Sequence, residues 1–323
     1  MALLFLHELI QDMKIHEGYK DLSLKKPVVT LGIFDGVHLG HRKLLESLVG
    51  RAKEIGGESV VITFHPHPRV VLEEGARDLM FLTTLDEKKI LLENFGIDNL
   101  VIISFTKKFS RMKACDFVEK ILVENIGTSH LVVGYDHHFG HRGEGSFNLI
   151  KECAVSMGFN VEKVTGLKTS AGAISSSLIR NALISGRLSL ANKWLGYDYS
   201  LRGRVVEGRR IGRDIGFPTA NIKPSDRNKL IPGNGVYAVD TYIDDIKHIG
   251  MLSIGTNPTV SKGNGKISVE VNIFDFRKDI YGSEIEVVFR HRLRSEKKFR
   301  TTMDLSEQMA LDKKIALRLL ASE

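Results

Sequence analysis

The 323 residues are 42% hydrophobic and 26% charged, with a formal net charge of +7 and a pI near 9.2. That composition suits a globular chain long enough for two cores and excludes a disordered or fibrous polymer. The basic excess fits small phosphorylated ligands, an anionic membrane surface or nucleic acid, but no long block of like charge suggests a disordered nucleic-acid tail.

The opening MALLFLHELIQDMK has a short apolar run with no basic segment before it, too little for a secretory signal. No apolar run of membrane-spanning length follows, and Cys115 and Cys153 stand in unrelated contexts. A cytoplasmic protein with reduced thiols is therefore expected. From Val28 to about Gly186, short Val/Ile/Leu runs (PVVTLGIF, SVVITF, NLVIISF, HLVVGY) alternate with segments of helical period. These segments are HRKLLESLVGRAKEIG, LDEKKILLENFG, KACDFVEKILVENIG and SFNLIKECAVSMG, with Gly56, Gly96, Gly127 and Gly158 as predicted C-caps. The alternation predicts a parallel sheet covered by helices. In such sheets ligands bind at the carboxyl ends of strands, where a glycine turn enters a helix.

TLGIFDGVHLGH, residues 30–41, occupies that kind of position. Gly36 and Gly40 admit a close ligand, and the helix start offers free N–H groups and the positive end of a dipole. His38 and His41, three apart, are able to project to one side and donate hydrogen bonds to a polyphosphate. A capped helix start or a weak metal pair would explain the same spacing. The stretch alone leaves these readings open.

After Trp194 the texture changes. GVYAVDTYI, KISVEVNIFDF and EIEVVFRHRL are strand-like pieces joined by turn-rich segments, which predicts an antiparallel β-barrel or sandwich. Residues 187–200 read as a linker, and DLSEQMALDKKIALRLL as a closing helix with Asp304 or Ser306 at its N-cap. Neither a P-loop nor a protein-kinase motif set is present.

The motifs carry a resemblance. GIFDGVHLGH resembles the signature of the nucleotidylyltransferase superfamily, which binds ATP or CTP at this turn and releases pyrophosphate. ITFHPHP at 62–68, GYDHHFGHRGEG at 134–145 and ISSSLIR at 174–180 resemble segments of the bacterial FAD synthetases, in the same order. GRDIGFPTANIKP at 212–224 is similar to the ATP–Mg²⁺ motif of the riboflavin kinases, a six-stranded barrel family. GVYAV, IGTNPTV, SVEVNIFDF and FRHRLRSEKKF extend that likeness almost to the end of the chain. The whole chain thus resembles the bacterial bifunctional riboflavin kinase/FAD synthetases.

The resemblance implies an α/β Rossmann-like nucleotidylyltransferase domain over 1–186, then an antiparallel riboflavin-kinase barrel with a C-terminal helix over 187–323. It implies riboflavin, FMN, FAD and ATP as substrates and products, with Mg²⁺ accompanying ATP and no nucleic-acid or membrane partner; oligomeric state is left open. Gly32, Phe34, Asp35, Gly36, His38, His41, Ser176, Ser177 and Arg180 would hold ATP for adenylylation. Among them His38, His41 and Arg180 would act on the developing charge. His67, Asp136 and Phe139 would meet FMN. In the barrel, Gly212, Gly216, Pro218, Thr219 and Asn221 would hold ATP, with Thr219 and Asn221 as the metal ligands. Glu270 would be the general base, and Arg292 or Arg294, with Glu296 and Phe299, would meet the flavin. His137 replaces the family's phenylalanine, His65 an acidic residue and Asn272 a histidine. The first departure motivates an alternative expectation: a riboflavin kinase whose N-terminal half is weak or degenerate.

Overall fold

The structure, a computed structural model, describes residues 12–73, 79–135, 140, 145–169, 172–208, 212, 216–257 and 266–321. The chain divides between Ser176 and Ser177 into two compact units.

The N-terminal unit is built on six parallel strands: β1 Lys14–Glu17, β2 Val28–Leu31, β3 Ser59–His65, β4 Asn99–Ser104, β5 His130–Gly134 and β6 Asn160–Val164. Their order is β1-β4-β3-β2-β5-β6. The central strands consist of apolar residues because both faces are covered, and VVTL of β2 is buried at every position. A short antiparallel pair, β7 Lys168–Thr169 and β8 Gly172–Ala173, follows.

The helices are α1 Leu39–Ile55, α2 Pro68–Leu72, α3 Leu85–Glu93, α4 Ala114–Phe117 and α5 Phe147–Met157. Gly56 and Gly158 end α1 and α5 in the left-handed region, as predicted. The expected helix over KACDFVEKILVENIG widens after α4 into a π-helix, Val118–Asn125. Val29, Leu31, Val60, Ile62, Val101, Ile103, Leu131 and Val133 pack with Phe117, Ile121 and Ile150 in one core. Each such side chain contributes about 1.5–3 kcal/mol of burial.

Helix α6, Ser176–Ile184, begins at the boundary between the units. Residues 187–200, expected as a linker, instead form α7, Leu188–Leu195, with Leu188, Ala191, Trp194 and Leu195 buried. The apolar spacing there is helical, and the Asn192 side chain fastens the exit by donating to the Phe289 carbonyl and accepting from the Tyr199 amide.

Six antiparallel strands then close into a barrel: β9 Ser200–Val206, β10 Ala220–Pro224, β11 Gly235–Ile243, β12 Ile246–Asn257, β13 Lys266–Ile273 and β14 Glu284–Arg294. Most seams are long, but among the described residues β10 and β13 are joined only at Ala220–Val271 and Asn221–Glu270. Helix α8, Thr302–Ala321, packs Ala316 against Val236, Ala238, Met251 and Phe274. Its cap is neither Asp304 nor Ser306. Thr301 Oγ1 accepts from the Asp304 amide while Asp304 Oδ2 accepts from the Thr301 amide, a capping box one turn earlier.

Candidate active site

The turn from β2 into α1 is bent more sharply than its glycines alone would require. Phe34 and Val37 hold φ of +50° and +34°, a region that branched and aromatic residues normally avoid. Four anchors keep the turn in place. Asp35 Oδ1 accepts from the Leu82 and Thr83 amides at 2.8 and 3.1 Å, and the Gly36 amide donates to Thr83 Oγ1 at 3.0 Å. Ser176 Oγ donates to the Asp35 carbonyl at 2.9 Å, and Thr63 Oγ1 reaches the Ile33 carbonyl at 3.4 Å. Asp35 and Gly36 therefore brace the turn from beneath.

Above the turn lies a cavity of about 250 Å³ lined by Gly32, Phe34, His38, His41 and Ser176, among others. His38 caps α1, its Nδ1 accepting from the His41 amide at 3.4 Å, so its Nε2 carries the proton. The two imidazoles stack with centroids 3.7 Å apart, and Phe34 meets His41 edge-on at 5.2 Å. A Cβ on Gly40 would sit 3.1 Å from the His38 ring, so a larger residue there would press on that ring. Both readings of the spacing hold together: His38 is a cap, and the pair also faces a cavity.

Burial holds His38 down to about pKa 4 and His41 well below the ordinary 6.5, the latter helped by the charges of His38 and Lys88. Both are neutral donors and acceptors near pH 7, and His41 Nδ1 has no partner among the described residues. Tyr135, Thr165, Gly166, Leu167 and Ile174 also line the cavity. Tyr135 and Ile174 stand within GYDHHFGHRGEG and ISSSLIR but carry no charged group of their own, and residues 165–167 belong to no motif.

Ser177 and Arg180 continue α6, with Arg180 Nη1 donating to Ser177 Oγ at 3.4 Å. His67 caps the short α2, its Nδ1 accepting from the Arg69 amide at 3.1 Å, and stacks on Phe81. Asp136, His137 and Phe139 lie outside the described residues. A second, larger cavity of about 530 Å³ opens at the carboxyl ends of β1 and β4, lined by Tyr19, Ser104, Lys108, Phe109, Arg111 and Met112, among others. Phe109 joins Phe64 and Phe105 in an aromatic cluster beside it.

In the barrel, residues 218–221 lie against β13. Gly212 receives the Phe217 amide, and a Cβ there would come within 2.2 Å of the Phe217 oxygen. Thr219 Oγ1 donates to Glu270 Oε2 at 3.3 Å, and Ser268 Oγ donates to Glu270 Oε1 at 2.7 Å. Asn221 sits in register with Glu270. Asn272, two residues further along the same strand face, is buried and donates to the Pro218 carbonyl at 2.7 Å. The Ser268–Glu270–Asn272 face thus looks onto the Pro218–Asn221 segment rather than into solvent. A cavity of about 160 Å³ lies by Pro218–Ala220, floored by Val271 and Ile273 of the opposite strand face.

Thr219 and Asn221 bring a hydroxyl and an amide oxygen, hard donors of the kind a hard divalent cation accepts. No cluster of three or more His, Cys, Asp or Glu among the described residues would hold a metal by itself. At the end of β14, Arg292 Nη2 donates to the Asn234 carbonyl at 3.1 Å, and Asn234 Nδ2 to Glu296 Oε2 at 3.3 Å. Arg294 turns elsewhere: its guanidinium makes a bidentate pair with Asp312 of α8, with Nε and Nη2 2.9 and 2.8 Å from Oδ2, and lies over the Phe299 ring.

Comparison with known proteins agrees with this division. The FAD synthetase family matches residues 20–178 and the riboflavin kinase family residues 195–320. A bifunctional riboflavin kinase/FMN adenylyltransferase of Listeria monocytogenes is 39% identical over 285 residues, 88% of this chain and 90% of its own. The protein of that description from Bacillus subtilis is 36% identical over 301 residues, 91% of this chain and 92% of its own. The crystal structure of a macrolide-efflux protein from Streptococcus pneumoniae superposes with a TM-score of 0.86 at 31% identity, over 95% of this chain and 99% of that one. No helix among the described residues is long and apolar enough to cross a membrane.

Proposed function

The chain belongs to the bifunctional riboflavin kinase/FMN adenylyltransferase family, making FMN from riboflavin and FAD from FMN, and from that premise we propose which of its residues do each step. The adenylyltransferase is assigned to residues 1–186 and the kinase to 187–323. The Ser176 bond ties the first residue of α6 to the nucleotide turn, while Ser177–Ile184 group with the second unit.

The kinase step moves the γ-phosphoryl group of ATP to the ribityl 5′-oxygen, leaving ADP. Glu270 is the base that takes the hydroxyl proton as the oxygen attacks. The bonds from Ser268 and Thr219 hold its carboxylate in one orientation. Thr219 and Asn221 are the protein oxygens that would hold Mg²⁺, which when bound neutralises charge on the phosphates. Gly212 and Gly216 let the backbone at those two positions approach ATP, and Asn272 fixes the following segment through Pro218. Arg292 and Glu296, linked through Asn234, are the flavin-facing pair. Arg294 and Phe299 support that loop from behind.

In the adenylyl step a phosphate oxygen of FMN attacks the α-phosphorus of ATP, and pyrophosphate leaves. Positioning and charge neutralisation carry the reaction, with no covalent nucleophile on the protein. Neutral His38 and His41 donate hydrogen bonds to the triphosphate at the start of α1, and Ser176, Ser177 and Arg180 bind phosphate from α6. The ring of FMN lodges in the 530 Å³ cavity at β4, between Tyr19 and Phe109. Strands β2 and β4 are separated by β3, so their ends stand about 10 Å apart, a span the ribityl-phosphate arm bridges. His67 is assigned to that arm; Asp136 and Phe139, outside the described residues, keep only the FMN role that the resemblance implies. We place the enzyme in the cytoplasm, supported by its free thiols, and take the basic surface as serving anionic substrates rather than nucleic acid.

The carrying observation is that His38, His41 and Ser176 converge on one cavity while Thr219 and Glu270 meet in the other unit. Incubation with riboflavin, ATP and Mg²⁺, with flavins resolved over time, should show FMN rising before FAD. Glu270→Ala should stop FMN formation yet convert supplied FMN to FAD, and His41→Ala should do the reverse. Loss of both activities in either variant refutes the assignment.

A further inference from the structure

Under the nucleotide turn lies a charged group to which the two reactions above give no role. Lys88, on the inner face of α3, is only 7% exposed. Its ammonium group donates to Thr63 Oγ1 at 3.5 Å, and Thr63, fully buried on β3, reaches the Ile33 carbonyl at 3.4 Å. Asp35, 4% exposed, is the carboxylate whose charge Lys88 feels. The Asp35 carboxylate is itself pinned by the Leu82 and Thr83 amides, just ahead of α3. Three elements thus contribute one buried polar side chain each, with the Ile33–Asp35 segment held between them.

Stability alone is a poor reason for this lysine. Removing an ammonium from water costs several kcal/mol, and a buried pair replaced by apolar groups of like volume is often neutral or better. The location supplies another reason. The other side of the same turn presents His38 and His41 to the cavity, so whatever sets the Ile33–Asp35 backbone sets both imidazoles. We propose that Lys88 is a positioning residue for adenylyl transfer, holding the Ile33–Asp35 segment through Thr63 and Asp35 so that His38 and His41 face the bound triphosphate.

The charges that act on these rings come from two elements. His38 faces His41 from the turn, and Lys88 faces it from α3, both opposing its protonation. Lys88 is pushed down to about 8 by burial, with Asp35 opposing the shift, so it keeps much of its charge near neutrality. Its loss should therefore ease protonation of His41 as well as loosen the turn.

The test uses the full chain with Lys88→Met and Lys88→Arg. FAD formation from FMN and ATP is measured from pH 5 to 9, and riboflavin phosphorylation, carried by the other unit, reports on folding. Lys88→Met should lower adenylylation about 10²-fold, the scale of a small misplacement of catalytic groups, chiefly in kcat. The acid limb of its pH profile should move upward, Lys88→Arg should recover most of the activity, and the kinase rate should stay constant. Adenylylation by Lys88→Met within twofold of the parent across the pH range overturns the proposal. So does a loss that cooling restores with the pH profile unmoved, or a parallel loss of kinase activity; either would make Lys88 a packing residue only.

Discussion

Replacing Arg294 with methionine separates the two arginines at the end of β14. The Arg294 guanidinium holds Asp312 bidentately, and the Asp312 side chain is 2% exposed. Losing the arginine strands a carboxylate inside the contact between barrel and α8, where only Gln308 still donates to it. Breaking a buried pair in this way costs about 3–5 kcal/mol. For a unit of this size each kcal/mol lowers the melting temperature by about 4 °C, so a fall of about 12–20 °C is expected. Scanning calorimetry of the full chain should show this in the kinase unit, with FAD formation from supplied FMN unaffected below the transition. Adding Asp312→Leu should restore most of the loss, because the stranded charge is then gone. If Arg294→Met melts within 2 °C of the parent, about half a kcal/mol, while its KM for riboflavin rises tenfold, Arg294 is a flavin ligand and the structural role is wrong. A double variant no more stable than the single one refutes it equally.

Two further outcomes follow from the sites. The native pKa of His38, about 4, lies below its unfolded value of 6.5, so the unfolded chain takes up the proton first. Stability is complete above pH 6.5 and falls as pH drops toward 4, by something on the order of 3 kcal/mol. Urea midpoints at pH 7.5 and 4.5 should therefore shift less in His38→Asn than in the parent, and equal shifts would rule the group out. Asn272→Ala leaves the Pro218 carbonyl without its buried donor, at about 1–3 kcal/mol. Steady-state kinetics should show a raised KM for ATP in the kinase reaction with adenylylation constant; an unchanged KM would mean that Asn272 does not fix the nucleotide segment.

Much of the N-terminal unit could be read directly because its strands are pure apolar runs and its helices end in glycine. The strand β1 could not: KIHE is short, polar and mostly exposed, and it takes strand form because β4 offers it a free edge. Helix α7 lies within the expected linker: Leu188, Ala191, Trp194 and Leu195 carry helical spacing, but over only eight residues at the point where the texture of the chain changes. At the sites, histidines, serines and glycines were visible through their motifs. Lys88 was not, since a lysine in the polar run DEKK looks like a solvated helix face, and only the tertiary packing of α3 turns it inward. Asn234 was missed for a similar reason: its bonds to Arg292, Thr256 and Glu296 join residues 22 to 62 positions away.

The shortest seam of the barrel, where β10 meets β13 at two residue pairs, has a dynamic meaning. Amides in the long β11–β12 ladder should exchange with solvent only through global opening, whereas those flanking Ala220 and Asn221 should open at lower cost. The residues closing that seam, Asn221 and Glu270, are the ones assigned to ATP and to the proton. On the site assignment proposed above, nucleotide binding at Asn221 should slow amide exchange at this seam and leave the β11–β12 ladder unchanged.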